Sequence, residues 1–403
     1  MKNYLAVLTV AVLTAALLTS CGEVPSSPPP NQSSPPVETP SEGEPAPAAA
    51  VPGEMRDITV TEFVAEMGIG INIGNTLEAC GDWIAPDIAS FETAWGSPII
   101  EEDMIAGYAE AGFKSVRIPV AWSNLMAEDY TIHQPLMDRV QQFVDWVIKY
   151  DMTALVNIHW DGGWWEGFQD ERKDDCMAKY KAIWTQICER FKDYGDRLML
   201  ESLNEELAFD QLWNRYGGTE GKDTAYGLAN EINQIFVDLV RSSGGNNEKR
   251  FLLIAGYSTD IALTCDPMFK MPDDPQNRCA VSVHYYTPST FAILEENASW
   301  GRLRPTWGTD SDIAELNANM DLMKTTFADE GIPVIFGEYG ASRGGKEPGE
   351  VNEYILAVCK AVYERGMCPM LWDTTGSGGY DRLLRGFLDP ELGKAFSDIA
   401  AQS

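Results

Sequence analysis

Pro333-Val-Ile-Phe-Gly-Glu338-Tyr-Gly340 is a short apolar run, bounded by turn residues, that closes on a carboxylate. Leu198-Met-Leu-Glu-Ser-Leu-Asn204-Glu205 has the same form earlier in the chain. Each reads as a buried strand. A carboxylate at such a place is costly to bury without a task, because desolvation disfavours its charge. Working outward, similar runs recur, and strands are expected at 69–73, 115–120, 153–159, 198–203, 251–256, 280–285, 333–337 and 369–372. Helical spacing separates most of them: Pro135 to Tyr150, Asp175 to Tyr194, Thr224 to Arg241, Ser311 to Glu330 and Val351 to Arg365. Repeated strand–helix alternation of this kind predicts an α/β chain whose eight parallel strands close into a (β/α)8 TIM barrel. An open doubly wound sheet is the alternative, and no GxGxxG follows the first strand to support it.

In such a barrel the C-terminal ends of the strands build the active site. Polar residues gather at those ends. Asn72 and Asn75 follow strand one, and Arg117 lies in strand two. His159 ends strand three, while Asn204 and Glu205 end strand four. His284 and Tyr286 end strand six, Glu338 strand seven and Trp372 strand eight. The chain has three histidines, and two are in this set. Two glutamates at one rim have the composition of the acid and nucleophile pair that breaks glycosidic bonds.

The first residues read as an address. Lys2 precedes an uncharged apolar run from Leu5 to Leu18, too short for the ~20 residues of a comfortable membrane span. Residues 1–20 are expected to be a signal peptide. Leu18-Thr-Ser-Cys21 resembles the lipobox of bacterial lipoproteins, which implies lipidation at Cys21; a cleaved secretory signal is the alternative. Residues 22 to 54 hold ten prolines and no Lys or Arg. Such a segment cannot bury enough apolar surface to offset its ordering entropy, and it reads as an extended tether spanning 21–54. The catalytic barrel is expected over 55–403. A formal charge of −31 makes nucleic acid or anionic polymers poor partners and leaves neutral substrates open.

Seven cysteines remain after Cys21, so at least one thiol is left over from any pairing within the chain. Cys265 with Cys279, or Cys359 with Cys368, would close short loops. No CxxC pair or His cluster points to a metal, and no cofactor is expected.

Several runs carry a family resemblance: Gly70-Ile-Asn72-Ile-Gly74-Asn75-Thr-Leu-Glu78, Glu92-Thr-Ala-Trp95-Gly96, Val116-Arg117-Ile-Pro119-Val-Ala-Trp122 and Asn157-Ile-His159-Trp160-Asp161-Gly-Gly-Trp164. Leu203-Asn204-Glu205, His284-Tyr-Tyr286 and Phe336-Gly-Glu338-Tyr-Gly340 complete them. In this order they resemble glycoside hydrolase family 5 of clan A, and within it the bacterial endoglucanase and xyloglucanase subfamily. The chain departs at two places. Glu206 follows Glu205 where many relatives have Pro, and is expected to point away. His159-Trp160 stands where many relatives have paired histidines.

The resemblance implies a retaining mechanism, with Glu338 as nucleophile and Glu205 as acid/base. It implies that Arg117 keeps Glu338 ionised, that Tyr286 donates to it, and that Asn204 meets the sugar 2-hydroxyl beside the cleaved bond. His159 and His284 would hold hydroxyls or orient Glu205, and Trp160 is suited to sugar contact. Asn75 and Glu78 match positions that contact the sugar toward the non-reducing end. Asn72 is either a turn residue or a sugar contact. Aromatic faces stack on pyranose rings. Trp372 is the foremost platform, with Trp83, Trp164, Trp165, Trp300 and Trp307 as cleft walls and Trp146 and Trp184 as core.

The expected activity is an exported endo-β-1,4-glucanase, a monomer acting on neutral β-glucan and touching a membrane only through its anchor. A mannanase or xylanase of the same family is the alternative. A glycan-binding lipoprotein without activity would need neither glutamate. A metal- or phosphate-dependent barrel enzyme would need a ligand cluster or a Gly-rich phosphate loop after strand seven, and neither is present.

Overall fold

The computed structural model describes residues 53–205 and 211–401. The expected signal peptide, Cys21 and nearly all of the tether lie outside them, as does Glu206. Eight parallel strands form a closed barrel in chain order. They are β1 (Gly70–Asn72), β2 (Ser115–Ile118), β3 (Thr153–Asn157), β4 (Leu198–Glu201), β5 (Leu252–Ala255), β6 (Cys279–Tyr285), β7 (Val334–Tyr339) and β8 (Cys368–Leu371). Closure is made by β8 pairing back to β1, with Gly70 opposite Met370 and Ile71 opposite Leu371.

Side chains alternate in and out along each strand, so the barrel interior is filled in layers. The lower layer is apolar: Leu155, Met199, Leu253, Ala280, Ile335 and Met370 pack together. The helix Val60–Glu66 plugs that end, with Phe63 stacked on Phe251 at 4.1 Å between ring centres. Its entry is fixed by a capping box, in which Thr59 and Glu62 satisfy each other's backbone amides. Above the apolar layer the interior turns polar, and this is where the site begins.

The outer helices follow the expected spacing. Gln134–Lys149 carries Pro135 in its first turn, where the fixed ring suits helical backbone, and buries Leu136, Val140, Phe143, Val144 and Val147. Lys173–Phe191, Lys222–Ser242, Asp310–Thr326 and Pro348–Tyr363 match the other four patterns. Glu102–Glu110 and Pro390–Ala400 are two further helices beyond those five. No helix among the described residues is long and apolar enough to cross a membrane.

Three expectations need correction. Strand β4 stops at Glu201, so Glu205 stands four residues beyond it on the loop. Strand β7 runs on through Glu338 to Tyr339. All seven cysteines among the described residues are free thiols. Cys265 faces the Met323 sulfur and Cys279 donates to Asp274, so neither meets the other. Cys359 and Cys368 are both buried and unbridged.

Candidate active site

Arg117 organises the polar upper layer of the barrel. It is wholly buried and uses both edges of its guanidinium. Nε donates to Glu201 Oε2 at 2.7 Å, Nη1 to Glu338 Oε1 at 2.8 Å and Asn72 Oδ1 at 3.1 Å, and Nη2 to Asn204 Oδ1 at 2.8 Å. Burial would lower its pKa, but the charges of Glu201 and Glu338 outweigh that and hold it above the ordinary arginine value. Only a planar fork satisfies partners from β1, β4, β7 and the loop after β4 at once.

Glu338 reaches this centre through a β-bulge. The register between β6 and β7 pairs Val283 with Phe336 but His284 with Glu338, so Gly337 is an extra residue on β7. A bulge of this kind re-aims the side chain that follows it. Gly337 also sits where space is short: a Cβ there would lie 3.0 Å from Ser282 Oγ and 3.1 Å from His284 Nε2. The second oxygen of Glu338 accepts from the Tyr286 hydroxyl at 3.0 Å. Burial and then the charges of Glu338 and Glu205 raise the Tyr286 pKa well above its usual value, so the phenol remains a donor.

Glu205 differs from Glu338 in its surroundings. Its side chain is 50% exposed, against 7% for Glu338. Its Oε1 lies 2.7 Å from His284 Nδ1, which is itself 3.7 Å from Glu338 Oε2. Desolvation pushes the Glu205 carboxyl up, but the hydrogen bond and charge of His284, with the charge of Arg117, carry it below the ordinary value. One atom each from Glu205, His284 and Glu338 fall within 4.8 Å of one another, the one set of three such groups drawn that tight among the described residues.

The rim is built from the loops after β1, β3 and β8. His159 lies parallel to Trp372, ring centres 5.8 Å apart and planes within 9°. Burial drives the His159 pKa down to about 3, with Glu338 pulling the other way, so its ring is neutral at the mouth of the site. Trp372 and Trp160 are both half-buried, and of the two Trp372 is the one stacked on His159. Asn75 takes a left-handed backbone (φ 57°) and anchors its amide on the Trp95 carbonyl at 3.2 Å.

Glu78 is not where the resemblance implies. It is closed from solvent, and its two oxygens accept from the backbone amides of Asn75 and Thr76. Burial raises its pKa to about 7, against those amides and Arg382. Glu78 therefore shapes the loop that presents Asn75 and is withdrawn from the cleft. Arg382 ties this loop to the one after β8. It donates to the carbonyls of Gly74 and Asp373 and to Thr76 and Ser97.

Asn72 is neither a turn residue nor a sugar contact. It is fully buried and donates to the backbone carbonyls of Gly337, Met370 and Leu371. Trp307, expected in the cleft wall, is buried against Tyr354. Trp83 and Trp300 do stand exposed, at 70% and 40%. Trp184 is core, whereas Trp146 is only partly buried. Sequence reasoning missed Glu201, Ser282 and Gly337. A charged residue inside the apolar run Leu198-Met-Leu-Glu201, at the same strand parity as Met199, was the available signal for the first.

Comparison with known proteins gives one answer. The family model for cellulase (glycosyl hydrolase family 5) matches residues 77–378. Endoglucanase A of Paenibacillus barcinonensis is 34% identical over 81% of this chain and 85% of its own length. A xyloglucan-specific endo-beta-1,4-glucanase of Bacteroides ovatus is 33% identical over 79% of this chain and 66% of its own. Among solved structures, a broad-specificity endoglucanase from an uncultured bovine rumen ciliate aligns with a TM-score of 0.77 and 34% identity. That alignment spans 86% of this chain and 99% of the ciliate one.

Proposed function

This chain belongs to the cellulase family, glycosyl hydrolase family 5, and from that premise we propose that it is an exported, retaining endo-β-1,4-glucanase. Its substrates are cellulose-type, mixed-linkage or xyloglucan chains. The observation that carries the mechanism is the spacing of the two glutamates, an oxygen of each lying within 4.8 Å of the other. Retaining enzymes keep their carboxyl groups ~5–5.5 Å apart, whereas inverting ones leave ~6.5–9.5 Å for a water.

Glu338 attacks the anomeric carbon, and Glu205 delivers a proton to the departing oxygen. The resulting glycosyl-enzyme ester is then opened by a water that Glu205 deprotonates. Arg117 and Tyr286 favour the ionised nucleophile through the contacts already given. Asn204 spends its carbonyl on Arg117, which leaves its amide for the 2-hydroxyl of the sugar beside the cleaved bond. Trp372, backed by His159, offers an indole face to the pyranose ring. Similarity to a xyloglucan-specific enzyme and to a broad-specificity one supports a substrate range that includes branched glucan. Lys2, the Leu5–Leu18 run and Cys21 support export and a lipid anchor, with the proline-rich tether as spacer.

The test is hydrolysis of carboxymethyl cellulose, barley mixed-linkage glucan, xyloglucan, glucomannan and xylan by wild type, Glu338→Ala and Glu205→Gln. Internal cutting of the β-1,4-glucans by wild type, with both variants down by about 10³-fold or more, is the expected result. Wild type that binds glucans and cuts none would sink the reading.

A further inference from the structure

The barrel interior holds one more carboxylate than the two-glutamate chemistry uses. Glu201 points inward from β4 and is closed from solvent. Its Oε2 takes the Nε edge of Arg117, and its Oε1 accepts from Ser282 Oγ at 2.8 Å. A structural ion pair would be complete with Arg117 and Glu201 alone. Here one buried guanidinium stands between two carboxylates, the second being Glu338.

We propose that Glu201 is a positioning residue that shares Arg117 with Glu338 and so sets how firmly the nucleophile is held in its charged form. The inference rests on the reading of Glu338 as nucleophile given above. Two consequences follow from the geometry. By gripping Nε, Glu201 fixes the rotation of the guanidinium, which aims Nη1 at Glu338 and Nη2 at Asn204. By adding a negative charge on the far edge of Arg117, it also weakens the field that Arg117 exerts on Glu338. Like charges facing each other across one guanidinium oppose each other.

The other groups around the pair lie elsewhere. Glu338 faces His159 from the end of β3, Glu205 from the loop after β4, and His284 and Tyr286 from β6 and its end. β1 contributes the neutral Asn72, and β5 and β8 are apolar strands. Glu201 is the charged group on the buried side of Arg117, where sugar cannot displace it.

The experiment is the pH dependence of kcat/KM on a soluble β-glucan. Glu201→Gln keeps the shape and an acceptor for Arg117 Nε but removes the charge. Its acidic limb is expected to move to lower pH by about one unit, with plateau activity down less than about tenfold. Ser282→Ala removes the donor to Glu201 and leaves that charge less compensated, so its limb is expected to move the opposite way, by a few tenths of a unit. A Glu201→Gln limb within about 0.2 unit of wild type, whatever the plateau, would overturn the proposal. If that variant does not fold, an unmoved Ser282→Ala limb overturns it instead. A Glu338→Ala enzyme as active as wild type would remove the nucleophile reading, and the proposal with it.

Discussion

Arg117 shows why residue type matters more than charge at this centre. Its fork touches two carboxylates and two amide oxygens at fixed angles, and a lysine is a single point charge that cannot. Arg117→Lys is expected to lower kcat/KM by about 10²–10³-fold on every glucan alike, measured beside a circular dichroism spectrum that stays native. Glu205 makes a second prediction. In the free protein it is half exposed and its carboxyl lies below the ordinary value because of His284 and Arg117, despite desolvation. In the proposed acid role, bound sugar would cover that exposed half and deepen desolvation, which favours the protonated carboxyl. The basic limb of kcat should therefore lie at higher pH than the basic limb of kcat/KM, since the first reports the complex and the second the free enzyme. Coincident limbs would mean that bound sugar leaves the acid unchanged.

Among the elements, β7 matters most to the chemistry. Strict alternation from Ile335 would bring Gly337 into the interior and turn Glu338 outward; the extra residue at Gly337 reverses this and sets Glu338 opposite His284. Gly337→Ala places a Cβ against Ser282 Oγ and His284 Nε2. It is expected to cut kcat by at least about tenfold while KM shifts little, because the damage falls on Glu338, the proposed nucleophile, and its imidazole neighbour. A kcat within twofold of wild type would show that the bulge tolerates a side chain. Most strands were legible because buried parallel strands read as continuous apolar runs. The end of β4 was not, since Ser202-Leu-Asn204 looks like more strand while the pairing with β3 and β5 stops at Glu201. The bulge was invisible for the same reason: it is a property of two strands together.

At the scale of the whole molecule, buried carboxyls with opposite shifts set a window of stability. Asp274 and Asp312 are each held near 2; burial opposes Arg241 and the Arg278 amide for the first, and Arg304 leads the lowering for the second. Their stabilisation is present above the unfolded value of about 3.8 and is lost as pH falls toward 2. Glu78 and Asp161 behave the other way, since burial raises them to about 7 and about 6. In the folded state they hold protons that the unfolded chain has released, so stability falls as pH rises from about 4.5 to 7. Thermal melting is expected to be highest near pH 4–5 and to decline on both sides. Glu78→Gln should flatten the upper decline by a few degrees relative to wild type. Self-repulsion of the acidic chain acts on both proteins equally, so the difference isolates Glu78. An upper decline of unchanged slope in the variant would argue that Glu78 is ionised in the folded state throughout.

The sequence by itself determined the succession of eight apolar runs, the helical faces that cover them, and the identity of the polar groups at the upper ends of the strands. These are local properties: period, turn residues and side-chain chemistry are written within a few neighbouring positions. Which polar groups meet was decided only by tertiary structure. Arg117 meets Glu338 across 221 positions of chain and Glu201 across 84, and nothing local says that these two carboxylates share one guanidinium. Barrel closure also withdrew Glu78 from the cleft, buried Asn72 and Trp307, and kept the cysteines apart. Each outcome depends on the register between strands and the paths of the loops joining them. Those are set by packing of the whole interior at once, and no single stretch of residues contains them.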